Sequence, residues 1–166
     1  LGRGRKKLTK IREGVYLIMF RTIQVHVAVA TENEIKHLAL KRSEQCKLYP
    51  SMWQTITGKV EQNENALDAA KRELAEESGL IIVEWYKVPF LGGFYDVKRN
   101  TVESVPTFAV LLDKFIDINI SDEHSEYRWI NTIELENYFP IPDHINGALQ
   151  FEKIINSQEL RRIFTL

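Results

Sequence analysis

Three glutamates, Glu73, Glu76 and Glu77, stand at i, i+3 and i+4 near the end of the stretch GKVEQNENALDAAKRELAEESGL, residues 58–80. At this spacing the carboxylates crowd one side of a helix, where like charges repel. Beside small apolar side chains the crowding is costly unless the charges are compensated or neutralised. Hard divalent cations prefer clusters of oxygen ligands, so the group can serve as a cation site. The plainer alternative is a solvated acidic face on which Arg72 pairs with Glu76.

The elements that must position these acids are legible nearby. Asn65 can cap a first helical turn, and Gly79 supplies a left-handed stop. Between them Ala66, Leu67, Ala70 and Leu74 form one apolar stripe, with Glu73 and Glu77 on its edge and Glu76 one step further round. The small alanines let such a helix lie close to a sheet, with Arg72 as a counter-charge.

The spacing itself decides between the two readings. Gly58, then Glu64, then Arg72-Glu73-Leu74, then Glu76-Glu77, then Gly79-Leu80 fill every fixed position of the Nudix box, and the chain resembles the Nudix hydrolases. Asn63 stands where many members carry Gly, and Asn tolerates the left-handed backbone better than most residues. The resemblance implies an α/β fold, the Nudix α/β/α sandwich with a mixed sheet between helices. It also implies a loop–helix–loop that binds Mg²⁺, or Mn²⁺, and cleaves a nucleoside diphosphate linked to another group. Carried over to this sequence, Glu73, Glu76 and Glu77 are metal ligands and catalytic, with Arg72 among the catalytic residues. Gly58, Glu64 and Gly79 shape the box, and the backbone carbonyl of Thr57 is a further ligand. Members usually add a carboxylate from outside the box. Glu123 in Ser121-Asp122-Glu123-His124 is the candidate, with Asp122 and Glu126 behind it; the alternative is a plain acidic surface loop. His124 suits a base by its ordinary pKa and suits solvent equally well.

In chain order, Ile23–Ala30 (IQVHVAVA) reads as a buried strand, with His26 in the core or on a sheet face. A turn at 31–34 leads to an antiparallel partner, Ile35–Lys41. Arg42 follows, either facing substrate phosphates, as the resemblance implies, or lying on the surface. The run from Trp53 to Gly58 is a strand delivering the chain into the box, with Trp53 in the core or walling a base. Strands are expected at Leu80–Val88, broken at Pro89–Gly93 and resuming at Phe94–Lys98, and at Glu103–Leu112, where Pro106 marks an edge or bulge. Phe115–Ile120 is a short strand or loop, Glu126–Ile130 a last strand and Thr132–Tyr138 a short helix. A helix over Asp143–Asn156 covers a sheet face with Ile145, Leu149, Ile154 and Ile155.

The chain has 166 residues, a formal net charge of −1 and a single Cys46. Those values suit one domain over residues 15–166 behind a basic tail at 1–14. They give no overall pull toward nucleic acid or membrane. No apolar run approaches bilayer length, and the unpaired cysteine fits a reducing, cytoplasmic compartment. Short pieces narrow the substrate: Trp53–Gly58, Arg99-Asn100-Thr101 with Glu103-Ser104, and Glu123-His124 before Tyr127-Arg128-Trp129. They resemble the bacterial dihydroneopterin triphosphate pyrophosphohydrolases, which also act on dATP. That resemblance implies a small-molecule nucleotide substrate in a monomer or homodimer, with Arg42, Trp53, Arg99 and Glu103 binding it. The reaction would be cleavage of a (deoxy)nucleoside or dihydroneopterin triphosphate to the monophosphate and pyrophosphate. The alternatives are a dinucleoside polyphosphate, ADP-ribose or a capped RNA end, for which Pro89 and Pro106 fit the ADP-ribose pattern poorly. A non-catalytic nucleotide-binding regulator is the last; such modules usually lose a box acid, and this chain keeps all of them.

Overall fold

Alternation along one central strand divides the molecule into two layers. In the computed structural model, which describes residues 20–166, β1 (Thr22–Ala30) sends Ile23, Val25, Val27 and Val29 to one face and Gln24, His26 and Ala28 to the other. All of these side chains are buried, so the strand needs cover on both sides. The first face receives α1 (Ala66–Ser78) through Ala69, Ala70 and Leu74. The second receives α3 (Pro142–Ile155) through Phe151, Ile154 and Ile155. The short α2 (Leu135–Tyr138) adds Leu135 beside Phe139 against Ala39 and Ile130.

The sheet between them is mixed. β1 pairs in parallel with β6 (Thr101–Leu112) and antiparallel with β2 (Ile35–Arg42), the partner expected from the turn at 31–34. β5 (Tyr86–Asp96) lies outside β6, and β7 (His124–Asn131) outside β2. The strand expected over Trp53–Gly58 is two pieces that change partner at Thr55. β3 (Trp53–Gln54) pairs with β2, and β4 (Ile56–Lys59) pairs with β1. At the switch the Thr55 hydroxyl donates to the carbonyl of Val25, replacing a ladder bond. The basic tail at 1–14, and the first residues of the domain expected from 15, lie outside the described residues.

Four expectations need correction. The strand expected at Leu80–Val88 begins only at Tyr86, because Ile81 and Val83 are 89% and 98% exposed and bury nothing. It then continues through Pro89–Gly93, where a register shift between Lys87 and Leu91 absorbs the proline in a bulge. Pro106 faces that bulge, yet β6 is an interior strand, so the bulge reading holds and the edge reading does not. Leu149 points to solvent, and His144, Gly147, Ala148 and Phe151 form the packed face of α3 instead. Residues 115–120 form a loop, and α4 (Gln158–Phe164) closes the chain unforeseen.

The face beneath α3 carries an unusual load of buried histidine. His37 shares a 2.8 Å hydrogen bond with Glu152, which also accepts from Thr132. Burial pushes His26 well below the ordinary histidine range, with His37 and His144 adding to the effect, and pushes His144 down to about 4. Such groups stay neutral in the fold and protonate first in the unfolded chain. Their stabilisation is therefore complete above 6.5 and is lost as pH falls toward 4. His144 alone should account for about 3 kcal/mol of that loss, the free energy of its displacement. Urea denaturation at pH 7 and pH 4.5 should show the decline, and His144→Asn should flatten part of it; an unchanged slope in the variant contradicts the assignment.

Candidate metal-dependent active site

The box becomes a loop and a helix for local reasons. The Asn65 side chain accepts a 2.9 Å hydrogen bond from the Asp68 amide, and Gly79 ends α1 at φ 72°. Arg72 joins the two parts. Its guanidinium donates to both oxygens of Glu64 at 3.0 and 3.1 Å, and to the carbonyl of Lys59 at 2.8 Å. It also donates to Glu73 at 2.8 Å and Glu76 at 3.1 Å. Fork-to-carboxylate bonding of this kind is both strong and directional. Arg72 holds the Glu64 carboxyl below the usual range and is itself held firmly protonated.

Glu73 lies directly over Gly58. A Cβ built on that glycine falls 2.0 Å from the Glu73 carboxyl carbon, so only a hydrogen fits. Burial raises Glu73 above its ordinary pKa against the opposing pull of Arg72. Glu76 stays largely open, its side chain 59% exposed. Glu77 is enclosed: burial drives its pKa well up, the neighbouring Glu73 and Glu123 drive it further, and Arg42 partly opposes them. Its Oε2 is buried without a hydrogen-bond partner among the described residues.

Two remote segments complete the cluster. β2 ends at a register shift between Lys41 and Arg42, which sets Arg42 opposite His124 at the start of β7. Arg42 Nε donates to the carbonyl of Leu48. Glu123 is exposed, and its carbonyl accepts from the Ser43 amide at 2.8 Å, tying the carboxylate-bearing loop to the end of β2. His124 is buried, which corrects the solvent-facing alternative, and its Nε2 lies 3.6 Å from Glu77 Oε2. Burial, then Arg42, lowers its pKa to about 4.

The structure therefore gathers Arg42, Gly58, Glu64, Arg72, Glu73, Glu76, Glu77, Glu123 and His124, with Thr57 one residue before Gly58 in β4. It does not bring the other expected substrate residues to them. Trp53 belongs to the opposite face, edge-on to Tyr138 at 5.1 Å and within 6 Å of the cationic groups of Lys41 and Arg128. Arg99 sits in the exposed β5–β6 turn, paired with Asp96. Glu103 is buried in a 3.0 Å ion pair with Arg21 and accepts from Thr101. The buried histidine was the participant the sequence left open, and only the pairing of β2 with β7 reveals it.

Among the described residues no three His, Cys, Asp or Glu side chains form a metal-holding group in this arrangement, in which Arg72 occupies Glu73 and Glu76. The donor set still suits a hard divalent cation. It is all oxygen, and the enclosed Glu77 carboxylate has no other compensating charge in contact.

Residues 21–149 match the family model described as the NUDIX domain. The chain is 40% identical over 87 residues to an RNA pyrophosphohydrolase of Bartonella henselae, a match covering 51% of this chain and 50% of that one. It is 24% identical over 114 residues to the nucleoside triphosphatase NudI of Klebsiella pneumoniae, covering 64% and 81%. Across curated relatives the share of the other protein spanned runs from 23% to 82%. The structure of the E. coli dihydroneopterin triphosphate pyrophosphohydrolase superposes with a TM-score of 0.67 at 23% identity, covering 83% of this chain and 99% of that one. A likeness at that identity establishes a common fold.

Two substitutions test the geometry. A carboxyl whose pKa is raised in the fold gives up stability as pH rises through that value, whereas glutamine stays neutral. Glu77→Gln should therefore raise the Tm at pH 7.5 without divalent cation by about 2–4 °C, as for a gain of about 1 kcal/mol. The same variant should lose nearly all hydrolysis. Gly58→Ala should displace Glu73 and lower kcat about 10²-fold with the fold retained by circular dichroism, the scale expected for a misplacement of about 1 Å.

Proposed function

The chain belongs to the Nudix family and is a hydrolase of phosphoanhydride bonds, and we propose that its substrate is a (deoxy)nucleoside triphosphate or a close analogue such as dihydroneopterin triphosphate, cleaved to the monophosphate and pyrophosphate. The observation that carries this reading is the enclosed, unpaired Glu77 carboxylate among Glu73, Glu76 and Glu123, with Arg42 beside it. Four acids there would only repel a triphosphate unless cations intervene.

Glu73, Glu76, Glu77 and Glu123, with the Thr57 carbonyl, would hold Mg²⁺ or Mn²⁺, which supplies positive charge against the phosphate oxygens and acidifies a bound water. Arg42 lies on the same side and offers a fixed cation to the non-bridging oxygens. Glu123, exposed and close enough to act on Glu77, would take the proton of the attacking water. Water oxygen bonds to phosphorus, the bridging P–O bond breaks and pyrophosphate departs. Arg72 binds no substrate on this view; it keeps the box loop fixed on the helix. Arg99 and Glu103, engaged with Asp96 and Arg21, are not assigned a role at the phosphates.

A second reading is favoured by the 40% identity to the Bartonella henselae RNA pyrophosphohydrolase: a triphosphate at the 5′ end of RNA, cleaved by the same chemistry.

The deciding experiment is product analysis with Mg²⁺ on dNTPs, dihydroneopterin triphosphate, 5′-triphosphorylated RNA, ADP-ribose and a dinucleoside tetraphosphate. Pyrophosphate from a small triphosphate is the expected result. Cleavage of RNA ends alone selects the second reading, and nucleotide binding without turnover of any compound overturns both. Glu123→Ala should lower kcat about 10²-fold or more, within the range for loss of a general base, with little change in nucleotide binding. An unchanged kcat would move the proton acceptor to Asp122 or Glu126.

A further inference from the structure

Two buried polar atoms face each other beside the box without a partner. Glu77 Oε2 and His124 Nε2 are 3.6 Å apart, and neither makes a hydrogen bond to any other described residue. The histidine side chain is fully enclosed, at 0% exposure, and the glutamate side chain is at 6%. Unpaired polar groups sealed from water are destabilising, and an apolar side chain would fill the histidine's space without that cost. The His124 amide donates to the Ser121 carbonyl at 3.0 Å and the residue is paired opposite Arg42, so its backbone is held at the edge of the sheet while burial holds the imidazole against Glu77.

We propose that His124 is a positioning residue for the cation site, its Nε2–H donating to Glu77 Oε2 and leaving the other oxygen of that carboxylate to the metal. The inference rests on the reading that Glu77 binds a divalent cation. At 3.6 Å the pair stands beyond hydrogen-bonding range, and a shift of about 0.7 Å closes it to an ordinary length. An ionised Glu77 gains from that donor, because Arg42 offsets only in part the acids Glu73, Glu76 and Glu123 around it. Outer partners of metal-bound carboxylates and histidines fix ligand orientation in this manner.

The test measures Mn²⁺ binding to the substrate-free protein by calorimetry, for the wild type, Glu77→Gln, His124→Leu and His124→Gln, with folding checked by circular dichroism. Glutamine can present an N–H near the Nε2 position, whereas leucine fills the space without a donor. His124→Leu should weaken Mn²⁺ about tenfold or more. His124→Gln should recover most of that loss, and the Mg²⁺ concentration for half-maximal rate should follow the same order with nucleotide KM unchanged. Equal Mn²⁺ affinity in wild type and His124→Leu overturns the inference, as does a folded His124→Gln no better than leucine. Equal affinity in wild type and Glu77→Gln defeats the cation reading itself, a separate outcome. Imidazole ¹H–¹⁵N spectra of the wild type remain decisive if a variant does not fold. The Nε2–H tautomer should be present, its proton moving downfield on Mg²⁺ addition in wild type but not in Glu77→Gln. A Nδ1–H tautomer overturns the inference.

Discussion

Carboxylates crowded onto the C-terminal half of one helix repel one another, and the guanidinium of Arg72 is what allows them to share it. Five hydrogen bonds leave that group: two to Glu64, one to the Lys59 carbonyl, and one each to Glu73 and Glu76. They do more than offset charge. Lys59 and Glu64 belong to the strand end and loop, while Glu73 and Glu76 belong to the helix, so one planar cation locks the loop to the helix that follows it. A lysine could neutralise the same acids but could not make the paired contacts to Glu64 that set the loop's path. The arrangement also fixes which acid remains uncompensated. Glu77, turned toward the sheet, is out of that network and buried, and this leaves it dependent on Arg42, His124 or a cation.

The sheet turns this local motif into a site. β1 is buried on both faces, which leaves its ends and those of its neighbours for chemistry. β4 ends at Gly58-Lys59, β2 ends at Arg42, and β7 begins at His124. These termini converge where α1 presents its acids. The glycine at the end of β4 permits Glu73 to lie against the strand, and the irregularity at Lys41/Arg42 sets Arg42 opposite His124, near enough to act on the charge of Glu77. A site built from strand ends inherits the rigidity of the ladder while keeping side-chain access to water.

What could be read from the sequence follows from the range of the interactions concerned. Asn65, Gly79 and the Ala70–Leu74 stripe act within one helix, and each does in the structure what its spacing implied. Helical spacing offers Arg72 a pairing with Glu76 and a role as counter-charge, and the fold adds Glu64 and Lys59, which reach it through a loop path that no helical period encodes. The enclosure of His124 depends on β2 and β7 pairing across most of the chain, so an imidazole that looked equally suited to water is buried. Leu149 fitted the helical stripe but falls outside it, because α3 approaches the sheet along Gly147 and Ala148, where small residues permit contact. Trp53 was placed correctly in its strand, yet its face was set by the partner switch at Thr55, a tertiary event. Arg99 and Glu103 lie in short pieces of likeness that carry no information on their partners, and the folded chain engages both with nearby charges.

The division between box and surroundings bears on how one fold serves several substrates. Every hydrogen bond of Arg72 lies within residues 59–76, so the clamp of loop onto helix is self-contained. On the proposed function it serves the phosphoanhydride to be broken and leaves the group beyond it to other side chains. Choice of that group must come from side chains outside the box. Among the described residues Arg42, Glu123 and the enclosed His124 lie beside Glu77, all contributed by the meeting of β2 with β7. On the proposed role of His124, a change in β7 would be felt at the Glu77 carboxylate 3.6 Å away. On that reading the choice of substrate and the chemistry meet at one strand junction, although their residues come from separate parts of the sequence.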